Sequence, residues 1–363
     1  MKKFIIGLSI LSLSAVAQEN ETEAYKFETT IQNNALEVCS QGITGTCWSF
    51  STASFLESEL ERLGYGAIDL SEMFIVKNVY KEKALNYVNY HGKTNFGEGS
   101  LAHDYLNAAE KYGIMTYEAF PGRIEDVKHD HREMAGILEA YVKAVVSKGK
   151  ISKYWKDGYA GVLDAYLGSD GAVSTLNGKE LNAMEMKDAV SFKAADYITL
   201  TSFTHHPFGQ DIILELPDNW SNGFHYNMDL EALENATMKA LKAGYTLVWD
   251  ADVSNSGFSS KDGIAIAPAE ESDSMFVHLG TEMEISQALR QEKFEDQETT
   301  DDHLMHITGL AKDQNGETYF IVKNSWGTER GREGFEGYLF VSSAYFRLNT
   351  ISVTVHKSAL EQK

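Results

Sequence analysis

Cys47, Gln41, two histidines near residue 305 and Asn324 are the side chains in this 363-residue chain whose types and spacing could break an amide bond. Cys47 follows the Gly- and Thr-rich run Gln41-Gly42-Ile43-Thr44-Gly45-Thr46 and precedes Trp48. At the amino end of a helix its thiol would meet unpaired N–H groups and the positive end of the helix dipole, both of which favour a thiolate. A glutamine six residues earlier can loop back, so that its side-chain NH2 and the Cys47 N–H converge where an oxyanion would form. A lone cysteine ahead of a helix is more often inert. The glutamine before it and the tryptophan after it reverse that reading.

A thiol nucleophile needs an imidazole to hold and deliver its proton, and a partner that orients the imidazole. Asp302-His303-Leu304-Met305-His306-Ile307-Thr308-Gly309 offers two histidines. On a strand they would point to opposite faces, so only one could reach the thiol. His-x-x-His also suggests metal, but no cysteine or third histidine follows at ligand spacing, and no metal or cofactor is expected. His129-Asp130-His131 and His205-His206 read as surface loops. In Lys323-Asn324-Ser325-Trp326-Gly327, Asn324 can accept a hydrogen bond from an imidazole and Trp326 can shield that bond from water. The competing reading is a strand-to-turn junction.

These groups need elements to position them. Phe50, Ala53, Leu56, Leu60 and Leu63 recur at helical spacing and Gly64 supplies a stop, which predicts a helix over 47–63. Helical patterns continue over 101–112, 134–148 and 181–193. Beyond about residue 201 the runs 245–249, 319–322, 337–341 and 351–355 read as strands. The expectation is an α+β fold of two lobes with a site in the cleft between them. It divides into residues 18–120 as a helical lobe with the nucleophile, 121–200 as a helical insertion, and 201–363 as a β-rich lobe.

Residues 1–17 stand apart. Lys2 and Lys3, a short apolar run and Ala15-Val16-Ala17 have the form of a cleaved export signal, which predicts a periplasmic or secreted mature chain starting near Gln18. The apolar run is too short for a membrane anchor. The formal charge of −21 disfavours nucleic acid and anionic lipid as partners. Only Cys39 and Cys47 are present, so there is no disulfide framework, and in an oxidising compartment at least one is expected to be kept for reactivity.

Together these residues resemble the papain family of cysteine peptidases. The family signature around the nucleophile is met by Thr44-Gly45-Thr46-Cys47-Trp48, except that its first cysteine is missing, and with it the usual disulfide. The Asp-His-apolar-apolar run with glycine six residues on selects His303 over His306. Leu70-Ser71-Glu72 and Gly97-Glu98-Gly99 fall where the family has its Leu-Ser-Glu turn and its glycine loop. His303 lies about 250 residues after Cys47 rather than roughly 130–150, which calls for an insertion. With Glu110-Lys111-Tyr112-Gly113, Phe120-Pro121, Tyr226-Asn227-Met228-Asp229-Leu230 and Asp250-Ala251-Asp252-Val253, the chain is closest to the bleomycin hydrolase and aminopeptidase C branch.

That resemblance implies a papain-like fold and hydrolysis of peptides by Cys47, His303, Asn324 and Gln41, with Gly97, Gly99 and Trp326 along the substrate. It also implies a homo-oligomer, a hexamer in that branch, although the export signal departs from the branch's intracellular habit. In the branch the chain's own C-terminal carboxylate receives the substrate's amino group, which makes the enzyme an aminopeptidase. Here His356 to Lys363 could span about 28 Å. The alternatives are a papain-like endopeptidase, an exported Cys-His cell-wall hydrolase, and a binding protein on an inactive scaffold.

Overall fold

A computed structural model describes residues 24–123, 127–147 and 149–361; the expected export signal lies outside the described residues. Strand β1 (Glu28–Gln32) precedes helices α1 (Cys47–Arg62), α2 (Glu72–Asn89), α3 (Ala102–Tyr112), α4 (Arg132–Val146) and α5 (Trp155–Leu167), then a small hairpin, β2 (Ser174–Leu176) and β3 (Lys179–Leu181), and α6 (Ala183–Ala189). After these come β4 (Tyr197–Thr201), β5 (Gln210–Ile213), β6 (Phe224–Asn227), α7 (Leu230–Lys242), β7 (Leu247–Ala251), β8 (Phe258–Ser259), β9 (Ile264–Ala265), α8 (Gln287–Glu295), β10 (His303–Lys312), β11 (Thr318–Lys323), β12 (Tyr338–Ser342), α9 (Ser343–Asn349) and β13 (Thr350–His356). The α+β class and the two lobes are as expected.

The helical lobe has one core. Met134, Leu138, Val142, Tyr159, Leu163 and Leu167 of α4 and α5 pack in the same cluster as Phe55, Val76 and Tyr105 of α1 to α3. The residues expected as an insertion over 121–200 therefore thicken this lobe, and the last of them, β4, belongs to the sheet. The sheet also takes in β1, from the segment assigned to the helical lobe, because β1 pairs with β10. The main path runs β5-β6-β4-β13-β7-β10-β11-β12-β9-β8, and its second core includes Leu247, Trp249, Met305, Phe320, Val341 and Val353.

β10 carries the strand register that matters most. Its first half pairs with β7, His303 opposite Ala251 and Ile307 opposite Leu247, and its second half pairs with β1. Gly309 marks the exchange of partners. A Cβ there would lie 2.2 Å from the Ile31 carbonyl oxygen, so the backbones can approach only at glycine.

α1 sits between the lobes and is buried from Cys47 to Leu60. Arg62 ends it, and Gly64 follows at φ +89°, a conformation glycine adopts without strain. Ser71 of the Leu-Ser-Glu turn caps α2, its hydroxyl accepting the Phe74 amide at 3.0 Å. Between α1 and the β lobe lies a polar layer. The Lys323 ammonium donates to Ser54 Oγ (2.7 Å), and Ser54 in turn reaches His306 Nδ1 (2.9 Å). Glu57, also buried, accepts the Leu70 amide (3.0 Å).

Burial pushes the Glu57 carboxyl up to about 7, against the pull of Lys323. The folded state thus holds a proton that the unfolded chain releases near the ordinary glutamate value. Stability from this group is present at low pH and is lost as pH rises from about 4.5 through about 7, a swing of about 3 kcal/mol. Glu57→Gln should remove that slope, so the variant gains on the wild type between pH 5 and pH 8 in urea melts. Parallel stability profiles for the two proteins would refute this account.

Candidate active site

Cys47 opens α1 after a loop that two anchors hold in place. The Gly45 amide donates to Glu98 Oε2 (2.8 Å) and the Trp48 indole donates to the Glu98 carbonyl (3.0 Å). A Cβ at Gly45 would lie 2.8 Å from the Glu98 Cβ, so the close approach of the two loops depends on glycine. The expected Gly97 and Gly99 therefore flank a residue bound directly to the nucleophile loop. Gly97 faces open space and Gly99 lies under Asp218.

Gln41 is buried and fixed at both ends of its amide. Ser325 Oγ donates to its Oε1 (2.6 Å) and its Nε2 donates to the Thr44 carbonyl (2.7 Å). With the oxygen taken up by Ser325, the amide presents nitrogen on its other side, and one N–H remains for an oxyanion. The backbone repeats the link, since the Gln41 amide donates to the Ser325 carbonyl (2.9 Å).

His303 starts β10. Its Nε2–H donates to Asn324 Oδ1 at 2.8 Å, and the Trp326 ring stacks on the imidazole with centroids 4.7 Å apart and planes at 29°. This bond places the proton on Nε2 and leaves the Nδ1 lone pair as the base. The Cys47 sulfur lies against the backbone amide of Leu304, the residue after His303. His306 is fully buried behind the site, bonded to Ser54, so the two histidines do diverge.

The electrostatics differ from the sequence expectation of a thiolate favoured by the helix end. Burial pushes the Cys47 thiol up to about 12; Asp301 and Asp250 push the same way, while the N–H groups of Leu304 and Trp48 pull down. Burial likewise holds His303 down to about 4, despite its bond to Asn324. Burial thus makes each charge costly on its own in the closed cleft. Proton transfer between them then creates both charges at once, each the other's counter-ion.

Both cysteines are free, Cys39 exposed and Cys47 buried. Among the described residues one group has the spacing of metal ligands: His205, His206 and Glu215, whose ligand atoms lie within 4.8 Å of one another. The Gln291 amide nitrogen sits 2.9 Å from His205 Nδ1, while its oxygen accepts the Thr204 amide (2.6 Å). This puts the His205 proton on Nε2, where it donates to Glu215 (3.2 Å), a hydrogen bond that occupies the nitrogen a metal would need. The sequence reading assigned no role to Asp218 or Asp301 and named Asp250 only within the run Asp250-Ala251-Asp252-Val253; of these, Asp250 and Asp301 act on the Cys47 thiol.

His303→Ala should lower kcat/KM by about 10^3 or more, whereas His306→Gln should keep most turnover and lose stability. Alkylation of Cys47 should fall as pH drops through about 4, where His303 becomes protonated. An active His303→Ala enzyme beside a correctly folded, inactive His306→Gln enzyme would reverse the assignment.

Comparison with known proteins shows what the chain resembles. A crystal structure of PepW from Lactobacillus rhamnosis superposes with a TM-score of 0.74 at 19% identity, over 92% of this chain and 82% of that one. Aminopeptidase C of Listeria innocua is 22% identical, over 90% of this chain and 81% of its own length. Aminopeptidase C of Lactobacillus delbrueckii subsp. lactis is 20% identical over 90% and 80%. The family model of the Peptidase C1-like family matches residues 177–363, the half that carries His303 and Asn324, and the chain belongs to that family.

Proposed function

We propose that the protein is a cysteine aminopeptidase, removing residues from peptides with a free amino terminus. The observation that carries the chemistry is the bond from His303 to Asn324 beneath Trp326, beside a cysteine at a helix amino end. The names of its relatives, aminopeptidases C, G, E and W, favour exopeptidase action.

In the cycle, His303 Nδ1 takes the Cys47 proton as the sulfur attacks the scissile carbonyl. The oxyanion receives the Cys47 N–H and the free N–H of Gln41. The imidazolium then gives its proton to the leaving amine, and afterwards the neutral imidazole activates water against the thioester. Asn324 holds the ring in one tautomer throughout. Losing the Gln41 donor should cost about 2.7–4 kcal/mol of barrier. Release of Gln41 by Ser325→Ala should cost less, because the donor is then misaimed but still present.

The described C-terminal residues do not enter the cleft. β13 begins at Thr350, paired with Ala251 beside His303, and runs away for about 20 Å. Lys357 then bonds the Ala195 carbonyl, and Ala359 and Leu360 pack into the core of the β lobe.

Export belongs to the same reading. Lys2, Lys3, the apolar run and Ala15-Val16-Ala17 support it, and no helix among the described residues is long and apolar enough to cross a membrane. Amino-terminal sequencing of protein from the exporting host should begin near Gln18.

The test of activity uses an aminoacyl fluorogenic amide and its N-acetylated form. The wild type should cleave the free form and reject the blocked one, and Cys47→Ala should be inert with an unchanged melting profile. Efficient turnover of the blocked substrate would decide for an endopeptidase.

A further inference from the structure

The segment 214–223, which leads from β5 to β6, crosses from the β lobe to the helical lobe and is clasped there. The Trp220 indole donates to Ser100 Oγ (2.7 Å), and the Asn95 amide donates to the Pro217 carbonyl (3.1 Å) and to Asp218 Oδ1 (3.0 Å). The clasp lays Asp218 over the glycine loop. A Cβ added to Gly99 would lie 1.8 Å from Asp218 Oδ2, so this carboxylate occupies the space above the loop.

The charge of Asp218 acts on two further carboxyls, those of Asp250 and Asp301. Asp250 stands opposite Leu304 in the pairing of β7 with β10, and so next to the amide that touches the Cys47 sulfur. It lies on the same face of β7 as Val248, which packs with the helical lobe, so it points toward that lobe. Asp250 is 1% exposed, and neither its Oδ1 nor the Oδ2 of Asp301 accepts a hydrogen bond from any donor of the described protein. Asp301 lies two residues before His303. Burial raises both carboxyls, and the charge of Asp218 pushes both the same way.

Lys83 acts on Asp218, but its ammonium is committed to the Gly99 carbonyl, and burial holds it down to about 8. Three carboxyls against one lysine, two of them with orphaned buried oxygens, form a place where an incoming ammonium is stabilised.

We infer that the wall of Asp218, Asp301 and Asp250, closed over Gly99 by the strap 214–223, receives the α-ammonium of the substrate's first residue. The inference rests on the aminopeptidase reading and supplies the anion that the described C-terminal residues do not. A peptide whose carbonyl lies at Cys47 and whose amino end lies toward the glycine loop meets Asp218 after one residue. The strap blocks further chain, and its carboxylate receives the charge that a free terminus carries and an acylated one lacks.

The experiment measures kcat and KM for the free and N-acetylated aminoacyl amides with the wild type, Asp218→Asn and Asp301→Asn, and the alkylation rate of Cys47 in each. The preference of the wild type for the free form tests the aminopeptidase reading by itself. Given that preference, each variant should reduce the free-to-blocked ratio of kcat/KM by tenfold or more, through a higher KM for the free form. A ratio unchanged in both variants overturns the inference while leaving the aminopeptidase in place. So does a ratio that falls only in proportion to the Cys47 alkylation rate, since the carboxylates would then act on the thiol and not on the substrate. It is equally overturned if the wild type prefers acylated peptides with lysine or arginine second from the cut bond, because the wall then binds a side chain.

Discussion

The burial of α1 on all sides is the constraint on which the rest of the molecule depends. A helix that is apolar on one face can lean on one layer, but one buried from Cys47 to Leu60 must be covered by both lobes. The helical lobe covers it with α2 and α3, and the β lobe with the first half of β10. Since Cys47 is the first residue of α1 and His303 the first of β10, the packing that buries the helix also brings the two reacting groups to the mouth of one cleft. The polar layer of Lys323, Ser54 and His306 lies along the same contact and fixes how β10 and α1 sit against each other.

Burial creates the electrostatic problem that the site then has to solve. It raises the cysteine and lowers the histidine, so neither charge exists cheaply alone. The carboxyls of Asp250 and Asp301 add to the cost of a thiolate. A substrate ammonium among them would offset that field at the moment the thiol must lose its proton. Binding and activation of the nucleophile are then coupled through charge.

The candidate catalytic groups stood out in the sequence because each lies in a short run whose neighbours share its surroundings. Thr46, Cys47 and Trp48 adjoin the loop that Glu98 anchors, and Asn324 to Trp326 are consecutive. Helix α2 gave no periodic stripe because Met73 to Tyr80 are all buried, so apolar and polar positions carry no contrast. Helix α7 did carry a signal, with the Asp229 cap and Leu230, Leu233, Ala240 and Leu241 on one face, which a motif-led reading passes over. The acidic wall was not legible as a unit, although Asp250 lies in a run the sequence reading quoted. Asp218, Asp250 and Asp301 come from three distant segments, and only the register of β7 on β10 and the path of the strap bring them together. The direction of β13 is likewise set by pairing, so the reach of the tail could not be judged from its length.

The run Lys323-Asn324-Ser325-Trp326 shows how tightly those consecutive side chains are assigned. Along an extended backbone alternate residues face opposite sides. Lys323 turns to the buried layer and holds Ser54, while Asn324 accepts the hydrogen bond from His303 Nε2–H. Ser325 reaches across the lobes to orient Gln41, and Trp326 covers the imidazole. The Ser325 amide also donates to Asn324 Oδ1 (2.7 Å), so the oxygen that orients the histidine is itself oriented by the residue that orients the oxyanion donor. A shift of one residue in the pairing of β10 with β11 would exchange the faces and undo all four contacts together. The register of that pair, His306 opposite Lys323, is therefore as much part of the catalytic apparatus as the cysteine.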